Sequence, residues 1–250
     1  MCAVKHCICV ASALSLVFCS KLQAGATLDL TSEGSSGFIN GAWFVQADPQ
    51  PTGTGYIRSF VRLQTNTAIE QGYNTDGRKL QFDENNSPQF TRSLSLAEVP
   101  VVTFESIAYW EFLLDVNQKA GIPGGYLSLD AMEIYLGTTG DLLDYPNLGT
   151  KVFDLDGAGD SGLVLDYNLN SGSGSGDMLA YIPVPSTLPA GGDYLYLYSR
   201  FGELYPNNAG FEEWAVRSYE PSVPIPAPSA LLLGSLGIGG IGYLRRRRML

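Results

Sequence analysis

Apolar and polar residues alternate in short runs through the middle of this chain. In DYLYLYSRF (193–201), Tyr194, Tyr196 and Tyr198 take one side and Leu195 and Leu197 the other. That period of two places successive side chains on opposite faces of a strand. The segment YLSLDAMEIYLG (126–137) starts the same way, with Leu127, Leu129 and Ala131 alternating with Ser128 and Asp130. Its Leu129, Met132 and Ile134 do not decide the period, so part of it stays open to a helix. Further strand-length segments lie at 57–64, 90–96, 108–116 and 162–169. Turn-forming residues separate them: Thr75-Asp76-Gly77, Asn85-Asn86-Ser87-Pro88, Gly121 to Gly125, and Asn207-Asn208-Ala209-Gly210. No long amphipathic helical stretch and no internal repeat interrupts the pattern. Many short strands at close spacing predict an all-β chain, an antiparallel β-sandwich or jelly-roll-like single domain over 27–219. The Ser/Gly run 171–176 predicts a flexible loop within it.

The two ends break the pattern. Residues 1–26 combine Lys5 and His6, an apolar stretch from Ile8 to Phe18, and the small residues Ala24-Gly25-Ala26. Those are the parts of a secretory signal peptide, with removal expected after Ala26. A lipid-modified Cys19 is the alternative, against which stands the bulk of Phe18 beside it. At the other end, 227–244 carries no charge and would span roughly 27 Å as a helix, enough for a thin hydrocarbon core. Arg245, Arg246, Arg247 and Arg248 follow directly, and such a cluster stays on the cytoplasmic side of a membrane, leaving the body of the chain outside. Pro224, Pro226 and Pro228 lie before and at the start of the run, where neither helix nor sheet ladder can continue.

Proline motif, short membrane helix and terminal arginines, in that order over 220–250, resemble the PEP-CTERM sorting signal of Gram-negative bacteria. The motif here is Val223-Pro224-Ile225-Pro226, with Ile225 where the commonest family form has Glu. The resemblance implies processing near these residues by an exosortase, a membrane-embedded cysteine peptidase-like enzyme. It also implies transient anchoring in the inner membrane, then release to the cell surface or an exopolysaccharide matrix. A permanent single-span anchor is the plainer alternative. Parts of the body (70–78, 81–94 and 207–216) resemble stretches of other proteins of this kind, with no activity attached. Gly237, Gly239 and Gly242 form a G-x-G-x-x-G, but the chain ends eight residues later. A dinucleotide fold needs more chain than that, and the glycines suit close packing of a membrane helix.

Charge and the absent residue types narrow the chemistry. Between 27 and 222, 9 Lys and Arg stand against 25 Asp and Glu, a net charge of −16. Such a field disfavours nucleic acid, whose binding rests on basic residues neutralising phosphates. All four cysteines (Cys2, Cys7, Cys9, Cys19) and the one histidine, His6, fall in the signal peptide. The mature body therefore has no disulfide, thiol or imidazole, which removes Ser-His-Asp and Cys-His catalysis and the usual zinc sites.

Three candidate sites remain. In DLDGAGD, Asp154, Asp156 and Asp160 with intervening glycines can fold around a hard cation, so Ca²⁺ is the one candidate ion, although nothing in the sequence requires a cofactor. An acidic turn between strands is the plainer account. If Leu195 and Leu197 point inward, Tyr194, Tyr196 and Tyr198 form an exposed ladder, a candidate ligand surface. The third is a carboxylate pair of a glycosidase or lyase. Glu212 and Glu213 are adjacent in sequence, and adjacent side chains on a strand diverge, so they would not flank one bond; no other pair is singled out. The expectation is an exported, non-enzymatic surface or matrix protein associated with exopolysaccharide, with a polysaccharide-processing enzyme as the alternative.

Overall fold

A computed structural model describes residues 25–47, 57–121, 124–172, 174, 176–208 and 210–217. The expected signal peptide through Ala24, the proline motif, the apolar run and the arginine cluster lie outside them. Among the described residues no helix is long and apolar enough to cross a membrane.

Fourteen strands follow one another: β1 (Thr27–Leu30), β2 (Ser36–Ile39), β3 (Ala42–Gln46), β4 (Ile57–Leu63), β5 (Glu70–Tyr73), β6 (Leu94–Ser95) and β7 (Val101–Phe104). Then come β8 (Ile107–Val116), β9 (Tyr126–Gly137), β10 (Thr150–Asp154), β11 (Gly162–Asp166), β12 (Met178–Pro183), β13 (Tyr194–Phe201) and β14 (Glu212–Arg217). One sheet has the order β1-β11-β9-β13-β5, with β10 also on β9 and β6 also on β13. The other has the order β2-β3-β12-β8-β14-β4, with β7 also on β8. All pairings are antiparallel except β1 with β11.

The two sheets pack face to face in a sandwich-like all-β arrangement. Leu127, Leu129, Met132, Ile134, Leu195 and Leu197 of one sheet meet Phe44, Phe112, Leu114, Met178 and Trp214 of the other in one buried cluster. Met132 follows Leu129 by three residues because the β9–β13 register skips one residue at Asp130. A bulge puts two residues opposite one, so the mixed period of 126–137 is a bulged strand and not a helix. The predicted strand at 90–96 shrinks to Leu94–Ser95, followed by a 3-10 turn at Leu96–Glu98.

The two outer faces are covered to different extents. On the first, Tyr73, Tyr135, Tyr196 and Tyr198 form a second buried cluster under Phe82, Leu142, Tyr145 and Leu148, which arrive on the segments 74–84 and 138–149. On the second, Tyr109, Leu113, Leu179 and Tyr181 form a third, flanked by Trp43, Val45 and Val102. No loop of comparable size caps that face among the described residues.

Candidate functional site: an aromatic strip on the second sheet

The tyrosine row of β13 is where alternation puts it, opposite Leu195 and Leu197, but it is not an exposed ladder. Tyr196 is 0% and Tyr198 5% exposed, and Tyr194 is half-buried. Tyr145 stacks on Tyr198 with ring centroids 4.1 Å apart. The Tyr196 hydroxyl donates to Thr139 O and accepts the Leu142 N–H at 3.0 Å. Tyr198 donates to Gln71 Oε1 at 2.7 Å. Buried phenols need such partners, and the covering segments supply them. These tyrosines are packing residues.

The open aromatic surface lies on the other sheet. Phe38, Trp43, Tyr181 and Glu111 occupy successive cross-strand positions on β2, β3, β12 and β8. Because paired residues project to the same side, they form a row across the sheet. Phe38 and Trp43 are near parallel, 6.0 Å apart and inclined at 13°. Trp43 and Tyr181 continue the row at 5.2 Å and 26°. Phe104 stands edge-on to both, at 5.4 Å from Trp43 and 5.2 Å from Tyr181. Beyond Tyr181 the row ends in Glu111, which Arg217 holds at 3.0 Å. Burial, with the charge of Glu111 adding to it, pushes the Tyr181 phenol up to about 12.

Two tight hairpins build the groove. Between β2 and β3 only Asn40 and Gly41 intervene, both at positive φ (48° and 83°). This is the backbone of a two-residue turn whose twist matches the strands, and Gly41 takes it without a Cβ penalty. Between β7 and β8 stand Glu105 and Ser106, again both at positive φ, without a glycine. The hairpins leave Phe38 66%, Ile107 50% and Phe104 38% exposed. With Ser36, Trp43, Thr103, Glu105 and Tyr109 they line a groove of about 720 Å³. Scattered exposed apolar residues are ordinary, but a contiguous patch with a polar rim marks a binding surface.

In the acidic loop at 154–160, Asp154 and Asp156 are engaged by groups of the loop and its flanks. Asp154 pairs with Lys151 at 2.9 Å and accepts the Asp156 N–H at 3.0 Å. Asp156 accepts the Ser161 N–H at 2.8 Å. Burial, then the charges of Asp154 and Asp160, raise its pKa. Asp160 instead lines a cleft of about 250 Å³ with Asp130 and Glu203. Among the described residues no group of three or more His, Cys, Asp or Glu side chains is placed to hold a metal ion. Glu212 and Glu213 do diverge: Glu212 faces the layer between the sheets, and Glu213 pairs with Arg62 on the outer face.

No protein-family model, curated protein or solved structure matches the chain. The site therefore stands on its own geometry. Its signal was present in the sequence: the Asn40-Gly41 pair between alternating GFI and AWFV is a strong hairpin mark. It places Phe38 opposite Trp43 without further information. Phe104 and Tyr181 join only through long-range pairing. Val223, Pro224, Ile225, Pro226, Arg245, Arg246, Arg247, Arg248 and Ala24 lie outside the described residues. Ala26 is described, with its N–H 3.2 Å from Ser161 Oγ just before β1.

Proposed function

We propose that this chain is an exported, non-enzymatic surface or matrix protein that binds polysaccharide along the strip of Phe38, Trp43 and Phe104. The observation that carries the binding half is the near-parallel pair Phe38 and Trp43, with Phe104 edge-on, in an open groove, while the buried Tyr181 ring backs Trp43 from below. Sugar rings present flat C–H faces that stack on aromatic faces, and their hydroxyls pair with a polar rim such as Ser36, Thr103 and Glu105. A nucleic acid would stack on the same rings, but the net charge of −16 between 27 and 222 repels its phosphates. Glycosidic cleavage uses two carboxyl groups flanking the bond. The groove lining offers Glu105, while Glu111 beneath it is tied to Arg217. That lining supports binding over turnover. Delivery rests on the ends: a signal peptide at 1–26 and an exosortase-type signal at 220–250, processed near Val223–Pro226.

Protein purified from the producing cells tests both halves. Its intact mass should correspond to a chain beginning after Ala26 and ending near Val223–Pro226; a mass retaining Arg245–Arg248 contradicts the sorting proposal. The same preparation, spun with the cells' own exopolysaccharide, should enter the pellet saturably. Trp43→Ala and Phe38→Ala should each weaken that binding roughly tenfold, equivalent to about 1.4 kcal/mol. Variants that pellet like the wild type place the contact elsewhere.

A further inference from the structure

Two glutamates project from opposite sheets into the layer between them. Glu70 opens β5 opposite Phe201, and Glu212 opens β14, two residues before the core residue Trp214. Both side chains are 0% exposed. Neither pairs with Lys or Arg among the described residues, and each keeps one carboxylate oxygen, Glu70 Oε1 and Glu212 Oε2, without a hydrogen-bond partner. An isolated carboxylate in such a place costs several kcal/mol unless something discharges it.

The surroundings are oxygen-rich and join the two acids. Asn207 Nδ2 donates to Glu70 Oε2 at 2.9 Å and lies 3.5 Å from Thr65 O. Gln118 Nε2 donates to Glu212 Oε1 at 2.6 Å and reaches Asn207 Oδ1 at 3.3 Å. Both amides are buried. Thr65, Gln118 and Asn207, from three different connections, thus meet beside the two acids.

We infer that Glu70 and Glu212 hold a buried divalent cation, of the Ca²⁺ type, that ties the two sheets together. Two carboxylates supply the compensating charge, and the two unpartnered oxygens are its first ligands. The Thr65 carbonyl and the amide oxygens of Asn207 and Gln118 are of the kind that complete an irregular Ca²⁺ shell. Zinc prefers nitrogen and sulfur ligands, which the body lacks, and Mg²⁺ keeps several waters, for which a fully buried site leaves little room. This site is separate from the aromatic strip, and its test does not depend on polysaccharide binding.

The test uses protein from cells, stripped with EGTA and titrated with CaCl₂ and with Tb³⁺, a calcium-sized reporter. Ca²⁺ at about 100-fold excess over its Kd should raise Tm by roughly 5–10 °C. Tb³⁺ should emit on tryptophan excitation, because Trp214 lies two residues from Glu212 on the same strand face, roughly 7 Å away along the strand. Ca²⁺ should compete that emission away. Glu70→Gln and Glu212→Gln should abolish the emission, and Asp156→Asn should retain it. A Tm identical in Ca²⁺ and EGTA, together with no sensitised emission from the wild type, overturns the inference. So does emission that survives both glutamine variants but disappears in Asp156→Asn, which would put the ion on the 154–160 loop. If the glutamine variants fail to fold, the wild-type melt and emission decide alone.

Discussion

Asp115 shows what a single buried charge does on this scaffold. It lies on the outer face of the second sheet, 3% exposed, beside Glu213 and Arg62. Asn117 Nδ2 donates to it at 3.2 Å, and the Gly174 N–H also reaches it. Burial dominates these contacts and raises its pKa from 3.8 to about 6. The folded chain therefore holds this proton more tightly than the unfolded chain. Its stabilising contribution is full below the ordinary carboxylate pKa and is lost as pH rises through about 6. The whole effect amounts to about 3 kcal/mol. In denaturant titrations from pH 4 to 7.5, the wild type should lose up to that much more stability than Asp115→Asn; parallel curves would show that the charge is better solvated than its burial implies. The tyrosines of β13 carry the matching lesson for reading sequences. Alternation fixed their side of the strand. Their exposure depended on Phe82 and Tyr145, which arrive from distant segments and leave no local mark.

At the scale of elements, the hairpins that carry the groove differ in how well their residues suit their turns. Asn40-Gly41 is a favoured pair for two positive φ values, whereas Glu105 (48°) and Ser106 (69°) adopt the same conformation without a glycine. A left-handed residue other than glycine costs roughly 1–2 kcal/mol. Replacing the second turn as E105N/S106G should therefore stabilise the chain by about 1 kcal/mol, read as a rise in the denaturation midpoint. An unchanged or lower midpoint would mean that Glu105 or Ser106 makes a compensating contact. Strand existence was legible in β4, β8, β9, β11 and β13, but not in β12 and β14, whose six residues do not alternate cleanly between apolar and polar. Short strands such as β2, β5 and β10 were not, because four or five residues give too few alternations to stand out. The 90–96 segment failed for the opposite reason: its alternation is real, but only Leu94 and Ser95 find a partner, on β13.

At the scale of the molecule, the two outer faces divide the work. The first is closed by its own loops. The second stays open at the end where Phe38, Trp43, Phe104 and Ile107 meet. The −16 charge of the body keeps such a patch soluble, since like-charged copies repel. Composition showed that the body has no sulfur–imidazole chemistry, and alternation showed the all-β class. Neither could show which aromatic residues would be left uncovered, because that follows from which loops fold over which sheet.

Trp43 gives the most direct test of the central claim, that polysaccharide lies on the aromatic strip. Trp110 and Trp214 are buried at 2% and 0% exposure, while Trp43 is half-buried in the groove. Titrating the protein with its exopolysaccharide should shift tryptophan emission to shorter wavelength, saturably, as sugar replaces water over the Trp43 ring. Trp43→Phe should remove the shift. An emission spectrum that stays constant through saturation, or a shift that persists in Trp43→Phe, would contradict it.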